Sequence, residues 1–416
     1  LSALMRYGLV SVDLAPVLLF SDTPKKLLED YENLVDDNYI LNCLTYTGFT
    51  LDEYNMVLNT VETLATEPTI FSKPIKPLKG RAIVCGSGPS LDSSLLQIKS
   101  LQSTHTIIAG GSNYRTLRMH SINVDFLVLN ERSKETYDDY KDVIEEFGRD
   151  SCILVMSTTC PYQLTSLFVK TIVYYRPALT PVSLFSTAIG EVMNYEGPES
   201  VNAGSSFAAL LGFETILFFG VDLGTADISN VRSSAAAGDT PRSFEVSVGG
   251  NFADKVFTTK TLLDTKSVIE SLIEEHDGQI EFLNCSNGVK IKGCIPKEPV
   301  TYVNEKEYSE KVDTSIWHKE LRKYDNQMLK TCWMARRPRV QISRYCTQLR
   351  KVLESDESWF PVVLKQIDEI NNLAISMQEQ IPRRIWRSTI LKSAAVITQQ
   401  LNVMKCSRHF DHFSFN

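Results

Sequence analysis

No D-x-D occurs anywhere in the 416 residues, so the chain lacks the carboxylate pair that holds a metal against a sugar nucleotide diphosphate. No G-x-x-x-x-G-K-S/T occurs either, which argues against a P-loop ATPase. The nine cysteines include no C-x-x-C pair and no metal-ligand spacing, so no metal site is expected. Cys85 and Cys152 sit in apolar, strand-like runs and are expected to pack as small hydrophobes, a usage that suits a reducing cytosol rather than a disulfide scaffold. No histidine stands between His120 and His276, which argues against His-based catalysis in that stretch. No uninterrupted apolar run reaches the length of a membrane span. The first twenty residues carry Arg6 and Asp13 and lack the layout of a signal peptide. The expectation is a cytoplasmic protein with no membrane insertion. The chain does not start with Met, from which a fragment of something longer is expected.

What is present is ordinary in bulk: 43% hydrophobic and 22% charged residues, as in a globular protein of two or three domains. The net charge of −7 is uneven. Residues 301–416 hold 19 Lys and Arg against 13 Asp and Glu, and the first 300 hold 24 against 37. An acidic body repels phosphate backbones, so no nucleic-acid partner is expected. The basic end reads as a solvated helical face.

Residues 1–72 mix helical stretches such as "TPKKLLEDYENLV" and "TLDEYNMVLNTVETLA", and "SKPIKPLKG" (72–80) reads as a connector. From Arg81, short β-branched runs alternate with helical segments: "AIVCG", "THTIIAGG", "VDFLVLN", "CILVMS", "TIVYY" and "TILFF". That alternation predicts an α/β fold, Rossmann-like, with a mostly parallel sheet sandwiched by helices. Its ligand is expected beyond the C-terminal strand ends. Residues 224–258 read as a long polar loop, and the chain after Tyr302 as all-helical. The expected organisation is an accessory segment (1–72), a Rossmann-like core (73–302) and a helical domain (303–416).

Four strand ends carry polar residues. The first, "RAIVCGSGPSLD" (81–92), offers Gly86 and Gly88 for a tight turn whose N–H groups approach an anion, Ser87 and Ser90 as hydroxyls, and Pro89 suited to a first helical position. Leu91 stands where a dinucleotide fingerprint has its third glycine, and the second strand ends in "AGGSN" without the acidic ribose ligand, so NAD and FAD are not expected. The second and third ends supply Ser112-Asn113 and Asn130-Glu131. Asn suits a base edge or sugar hydroxyls, and it equally suits a turn. The fourth is Gly220-Val221-Asp222, preceded by a helix opened by Asn202, Gly204 and Ser205.

The ordered series "IVCGSGPSLD", "VDFLVLN", "SVNAGSSFAALLGFETILFFGVDLG", "VGGNFADKVFTT" and "EFLNCSNGVKIKG" resembles the motility accessory factor (Maf) flagellin glycosyltransferases over about residues 72–300. More distantly the core is similar to bacterial sialyltransferases, which share a G-x-G-P-S-L turn, Asn at the next two strand ends and a Gly-x-Asp strand. The resemblance implies a cytidine monophosphate (CMP)-activated nonulosonic acid, of pseudaminic or legionaminic type, as donor, with Ser or Thr of flagellin as acceptor partner and no further cofactor. It implies Gly86, Gly88, Pro89 and Ser90, with Ser87, beside the donor phosphate. Asn113 and Asn130, with Glu131, are implied at ribose, phosphate or cytosine, and Asn202, Gly204 and Ser205 nearby. A donor with one phosphate has no pyrophosphate to bridge, which fits the missing D-x-D. The analogy fails where sialyltransferases carry tyrosines after the Gly-x-Asp strand, since Gly224 and Thr225 stand here, and where they use a downstream histidine as base, since the corresponding loop here has none. Asp222, Glu191, Glu245 and Asp254 are the base candidates, Asp222 favoured by its strand-end position, and the base stays unassigned. Thr258, Thr259 and Lys260 either assist phosphate departure or start a helix. Acceptor contacts are expected in the C-terminal region with Trp333, Trp359 and Trp386, or those rings form a helical core. Two other functions stay open: a pterin pyrophosphokinase-like enzyme using ATP and magnesium, and a non-catalytic flagellin-binding module.

Overall fold

The computed structural model describes residues 50–177, 179–237, 244–305, 308–336 and 340. Its helices are α1 (Thr50–Ala65), α2 (Ser90–Leu101), α3 (Asn113–Met119), α4 (Glu135–Phe147), α5 (Thr180–Phe185), α6 (Ser200–Leu211), α7 (Lys260–Glu275), α8 (Pro299–Asn304), α9 (Ser315–His318) and α10 (Asn326–Arg336). The strands are β1 (Thr69–Ile70), β2 (Arg81–Cys85), β3 (Thr106–Gly110), β4 (Phe126–Leu129), β5 (Ile153–Ser157), β6 (Lys170–Tyr174), β7 (Thr215–Phe219), β8 (Val246–Val248), β9 (Val256–Thr258), β10 (Glu281–Asn284), β11 (Ile295–Pro296) and β12 (Arg322–Lys323).

Ten strands form one sheet in the order β11-β10-β7-β2-β3-β4-β5-β6-β1-β12. Every pairing in it is parallel except that of β12 with β1. Parallel strands covered on both faces bury nearly every side chain, which is why "AIVC", "IIAG" and "LVM" read as unbroken apolar runs. The α/β architecture expected from the alternation is the one observed. The chain steps from β2 outward through β6, then returns with β7 to the other side of β2. The crevice outside β2 and β7 is therefore the topological switch point, where open α/β sheets place ligands.

α6 lies against the middle of this sheet and is buried on almost every side. Its small residues permit the approach: a Cβ on Gly110 of β3 would stand 2.9 Å from Val201 Cα. Phe207 of α6 packs edge-on against Phe126 at 5.0 Å and against Trp317 at 5.8 Å.

The chain divides into two compact units, one of residues 58–176 and 186–329, the other of 1–57, 177–185 and 330–416. Residues 58–72 and 303–329 thus share a unit with the Rossmann-like core. Trp317 is fully buried with its Nε1 donating to Ser72 O at 2.8 Å, and Lys311 pairs with Asp125 at 2.7 Å. The described part of the C-terminal region is not all-helical, because β12 adds an edge strand. Residues 224–258 likewise contain the antiparallel pair β8–β9, bound through Thr225 and Phe257 to the segment after β7. In the other unit Phe185 stacks on Trp333, ring planes 9° apart at 6.2 Å, an arrangement that packs the indole. Trp359 and Trp386 lie outside the described residues.

Candidate active site

The turn between β2 and α2 meets the turn after β7 in backbone-to-backbone contact. Gly86 N donates to Phe219 O at 2.8 Å and Gly88 N to Gly220 O at 2.7 Å. Two N–H groups that the sequence offered to an anion are thereby taken. Ser90 is taken as well: its N–H donates to Asp222 Oδ2 at 2.8 Å and its hydroxyl to Oδ1 at 2.6 Å. A Cβ on Gly88 would fall 2.1 Å from that same Oδ2, and Gly220 holds φ +64° with Leu91 against it. The glycines of both turns are required by this mutual approach.

Asp222 is 1% exposed. Burial pushes its carboxyl up to about 6, against the downward pull of the Ser90 hydrogen bonds and an Asn287 backbone contact. A protein carboxylate therefore occupies the N-terminus of α2, where helix dipole and free N–H groups favour an anion. Pro89 precedes α2 with helical dihedrals (φ −62°, ψ −26°), one residue before the first assigned turn.

Ser87 and Ser112, at the ends of β2 and β3, join hydroxyl to hydroxyl at 2.8 Å. The segment 231–237, arriving after β7, runs across these ends. Ser233 N donates to Ser87 O at 3.0 Å and Ala237 N to Ser112 O at 3.2 Å. Asp92 of α2 accepts from Ser233 Oγ at 2.5 Å and Ser234 N at 2.9 Å. Arg232 Nη2 donates to Ser112 Oγ and to Ala237 O, each at 2.6 Å. Arg232 is absent from the residues singled out in the sequence. Its only local sign is a lone guanidinium in the small-residue run "NVRSSAAAG".

Asn113 is fully buried and ties two strand ends, its Nδ2 donating to Cys85 O at 2.7 Å and Gly110 O at 3.0 Å. Its Oδ1 is buried without a hydrogen-bond partner among the described residues. Asn130 holds the segment before α6, donating to Glu196 O at 2.8 Å and accepting from Ser200 Oγ at 2.8 Å. Beside it Arg176 pairs with Glu196 at 3.1 Å. Glu131 is exposed and accepts from the N–H groups of Arg132 and Ser133.

Asn202 is spent in the capping box of α6 with Glu199 and on Thr265 O of α7 at 2.9 Å. Ser205 donates within its own helix to Val201 O, and Gly204 faces Val84 and Ile108 of the sheet. These three residues serve the capping and packing of α6. Glu191, 2% exposed, accepts from Ser186, Thr187 and Arg322 in a short turn that pairs next to the end of β6. Five strand spacings, on the order of 24 Å, separate β6 from β7, so Glu191 and Asp222 do not share one reaction centre. Glu245 and Asp254 are exposed at opposite ends of the β8–β9 pair. Thr258 donates to Leu223 O, and Thr259 caps α7 by accepting from Leu262 N, so both serve local structure. Lys260 is exposed in the first turn of α7.

Cys85, Cys152, Cys160 and Cys285 are buried free thiols. Among the described residues no helix is long and apolar enough to cross a membrane.

Residues 54–227 match the family described as 6-hydroxymethylpterin diphosphokinase MptE-like. No curated protein matches the chain. Among solved structures the chain is similar to the MAf glycosyltransferase from Magnetospirillum magneticum AMB-1, with a TM-score of 0.76 and 24% identity over 90% of this chain. The chain spans 58% of that protein's length. A second match is the sialyltransferase CstII from Campylobacter jejuni, solved with the substrate analogue cytidine-5'-monophosphate, with a TM-score of 0.27 and 12% identity over 58% of this chain and 96% of that one. The first likeness establishes the fold, a mostly parallel α/β sheet arranged as in a Maf glycosyltransferase.

Proposed function

We propose that this chain is a glycosyltransferase that moves a nonulosonic acid of pseudaminic or legionaminic type from a CMP-activated donor onto Ser or Thr of flagellin. The observation that carries the reading is the shared fold with the Magnetospirillum glycosyltransferase over 90% of the chain. The ordered motif series, which puts a G-x-G-P-S-L turn, two strand-end Asn residues and a Gly-x-Asp strand around one crevice, supports the same reading.

The chemistry is a substitution at the anomeric carbon. The acceptor hydroxyl oxygen forms the new bond to that carbon, and its proton passes to a carboxylate base. The bond from the carbon to the phosphate oxygen breaks, and its electron pair leaves with CMP. Hydrogen-bond donors and positive charge aimed at the departing phosphate are what the protein supplies. Asp222 anchors Ser90 through both oxygens, so a role as base requires Ser90 to release it. The base stays unassigned.

A second reading has the family match over 54–227 in its favour: a diphosphokinase acting on a pterin with ATP and magnesium. Against it, the crevice carboxylates Asp222 and Asp92 are already bonded to Ser90 and to Ser233 with Ser234. Thermal unfolding with CMP and with ATP–magnesium separates the two readings. A ligand at about 100 times its Kd adds about 2.7 kcal/mol of stability, so the true nucleotide raises the midpoint by several degrees. For the acceptor, co-expression with flagellin and the sugar pathway is expected to raise flagellin's intact mass by whole sugar units. An unchanged mass, where an authentic Maf enzyme works in parallel, overturns the transferase reading and leaves the flagellin-binding module.

A further inference from the structure

We infer that Asp92 is the general base of the transfer, and that Ser233 of the chain's own segment 231–237 stands where the acceptor hydroxyl is bound. This rests on the transferase reading and assigns the base which that reading leaves open.

The reaction needs a carboxylate that reaches an acceptor hydroxyl at the crevice and is free to exchange its partner. Asp222 does not meet that need, because both its oxygens hold Ser90 in the contact that joins the two glycine turns. Glu191 lies beside β6, on the order of 24 Å from β7. Glu131 accepts from the N–H groups that follow it in the chain. Glu245 and Asp254 are exposed at the ends of the β8–β9 pair. Asp92 differs from all of these. It is half-buried in the first turn of α2, and the bonds it accepts among the described residues come from one loop segment, through Ser233 Oγ and Ser234 N.

The geometry of that contact is the second observation. Ser233 Oγ donates to Asp92 Oδ1 at 2.5 Å, while Ser234 N holds Oδ2 at 2.9 Å and so turns Oδ1 toward the hydroxyl. A serine hydroxyl donating to a carboxylate is the contact a base makes with the nucleophile it deprotonates. The segment that brings this serine is bound as a foreign peptide would be. Its main chain donates to the strand-end carbonyls, Ser233 N to Ser87 O at 3.0 Å and Ala237 N to Ser112 O at 3.2 Å. Its side chains from 233 to 238 are Ser, Ser, Ala, Ala, Ala and Gly, small enough to lie against the strand ends, and Ser233 is only 4% exposed. An acceptor segment of Ser or Thr among small residues carries the same main-chain and hydroxyl donors, and takes these places when 231–237 withdraws. In the transfer the acceptor oxygen forms its bond to the anomeric carbon and its proton passes to Asp92 Oδ1. The bond from that carbon to the phosphate oxygen breaks, its electron pair leaves on CMP, and Asp92 later gives the proton to water.

The test follows the rate at which flagellin gains sugar mass after induction of the full chain in cells that make the donor. CMP binding to each purified variant is measured by calorimetry and its folding by thermal unfolding. Asp92→Asn is expected to slow the transfer at least about a hundredfold with CMP affinity unchanged, and Asp92→Glu to restore part of the rate. Ser233→Ala loses the same hydrogen bond, yet it is expected to transfer at the wild-type rate or faster, because it removes only the stand-in. If Asp92 merely pins the segment, Asp92→Asn and Ser233→Ala slow the transfer equally. That result, or wild-type transfer by Asp92→Asn, overturns the assignment of the base while the transferase reading stands. If the wild type adds no sugar where an authentic Maf enzyme does, the transferase reading falls and this assignment with it.

Discussion

The Asp222 carboxylate and the two Ser90 donors bring together residues 132 positions apart, and the consequence is measurable in stability. The folded carboxyl titrates at about 6, above an unfolded value near ~3.9. A raised folded value means that the protonated form is favoured by folding. Its stabilising contribution is complete below the unfolded pKa and is lost as pH rises through about 6, a difference of about 3 kcal/mol. Asp222→Asn keeps one acceptor for Ser90 N and removes the titration. Between about pH 4 and about pH 7.5 the wild type is therefore expected to lose up to about 3 kcal/mol relative to Asp222→Asn in urea unfolding. Asp222→Ala leaves the Ser90 groups without their partner and is expected to cost about 1–3 kcal/mol near neutral pH. Parallel curves for wild type and Asp222→Asn would contradict the burial of that charge.

Segment 231–237 is held across the strand ends by contacts with Asp92, Thr116, Ser87 and Ser112. Removing the Asp92 carboxylate frees Ser233 Oγ and Ser234 N, a loss of about 1.5–3 kcal/mol of charge-assisted bonding. Asp92→Ala is expected to speed amide exchange at 233, 234 and 237 by at least about tenfold, leaving β2 and β3 unchanged. Unaltered exchange in the segment contradicts the pinning. Elements differ in how openly the sequence declares them. β2 through β7 were readable because strands covered on both faces are mostly apolar, and α6 because its small residues continue to Phe207. β1 and β12 have two residues each, too short for any periodicity, so the return of residues 322–323 to the sheet was hidden. The β8–β9 pair alternates half-buried and exposed positions in β8, and its polar composition reads as loop. Of the site, the strand-end positions of Ser87, Ser112, Asn113 and Asp222 were legible from strand–turn patterns. Their partners were not: the contacts of Ser112 with Arg232 and of Ser90 with Asp222 span more than a hundred residues and leave no local trace.

At the scale of the molecule, a ten-stranded sheet with its switch point between β2 and β7 gathers the glycine turn, two strand-end serines, Arg232 and a buried carboxylate at one edge. The proposed function places a CMP-activated sugar in this crevice. Its most direct test is a crystal structure of the full chain with CMP. CMP is expected in the crevice outside β2 and β7, with the Ser90–Asp222 bonds intact. CMP density absent at saturating concentration, or CMP bound away from that crevice, contradicts the proposed function.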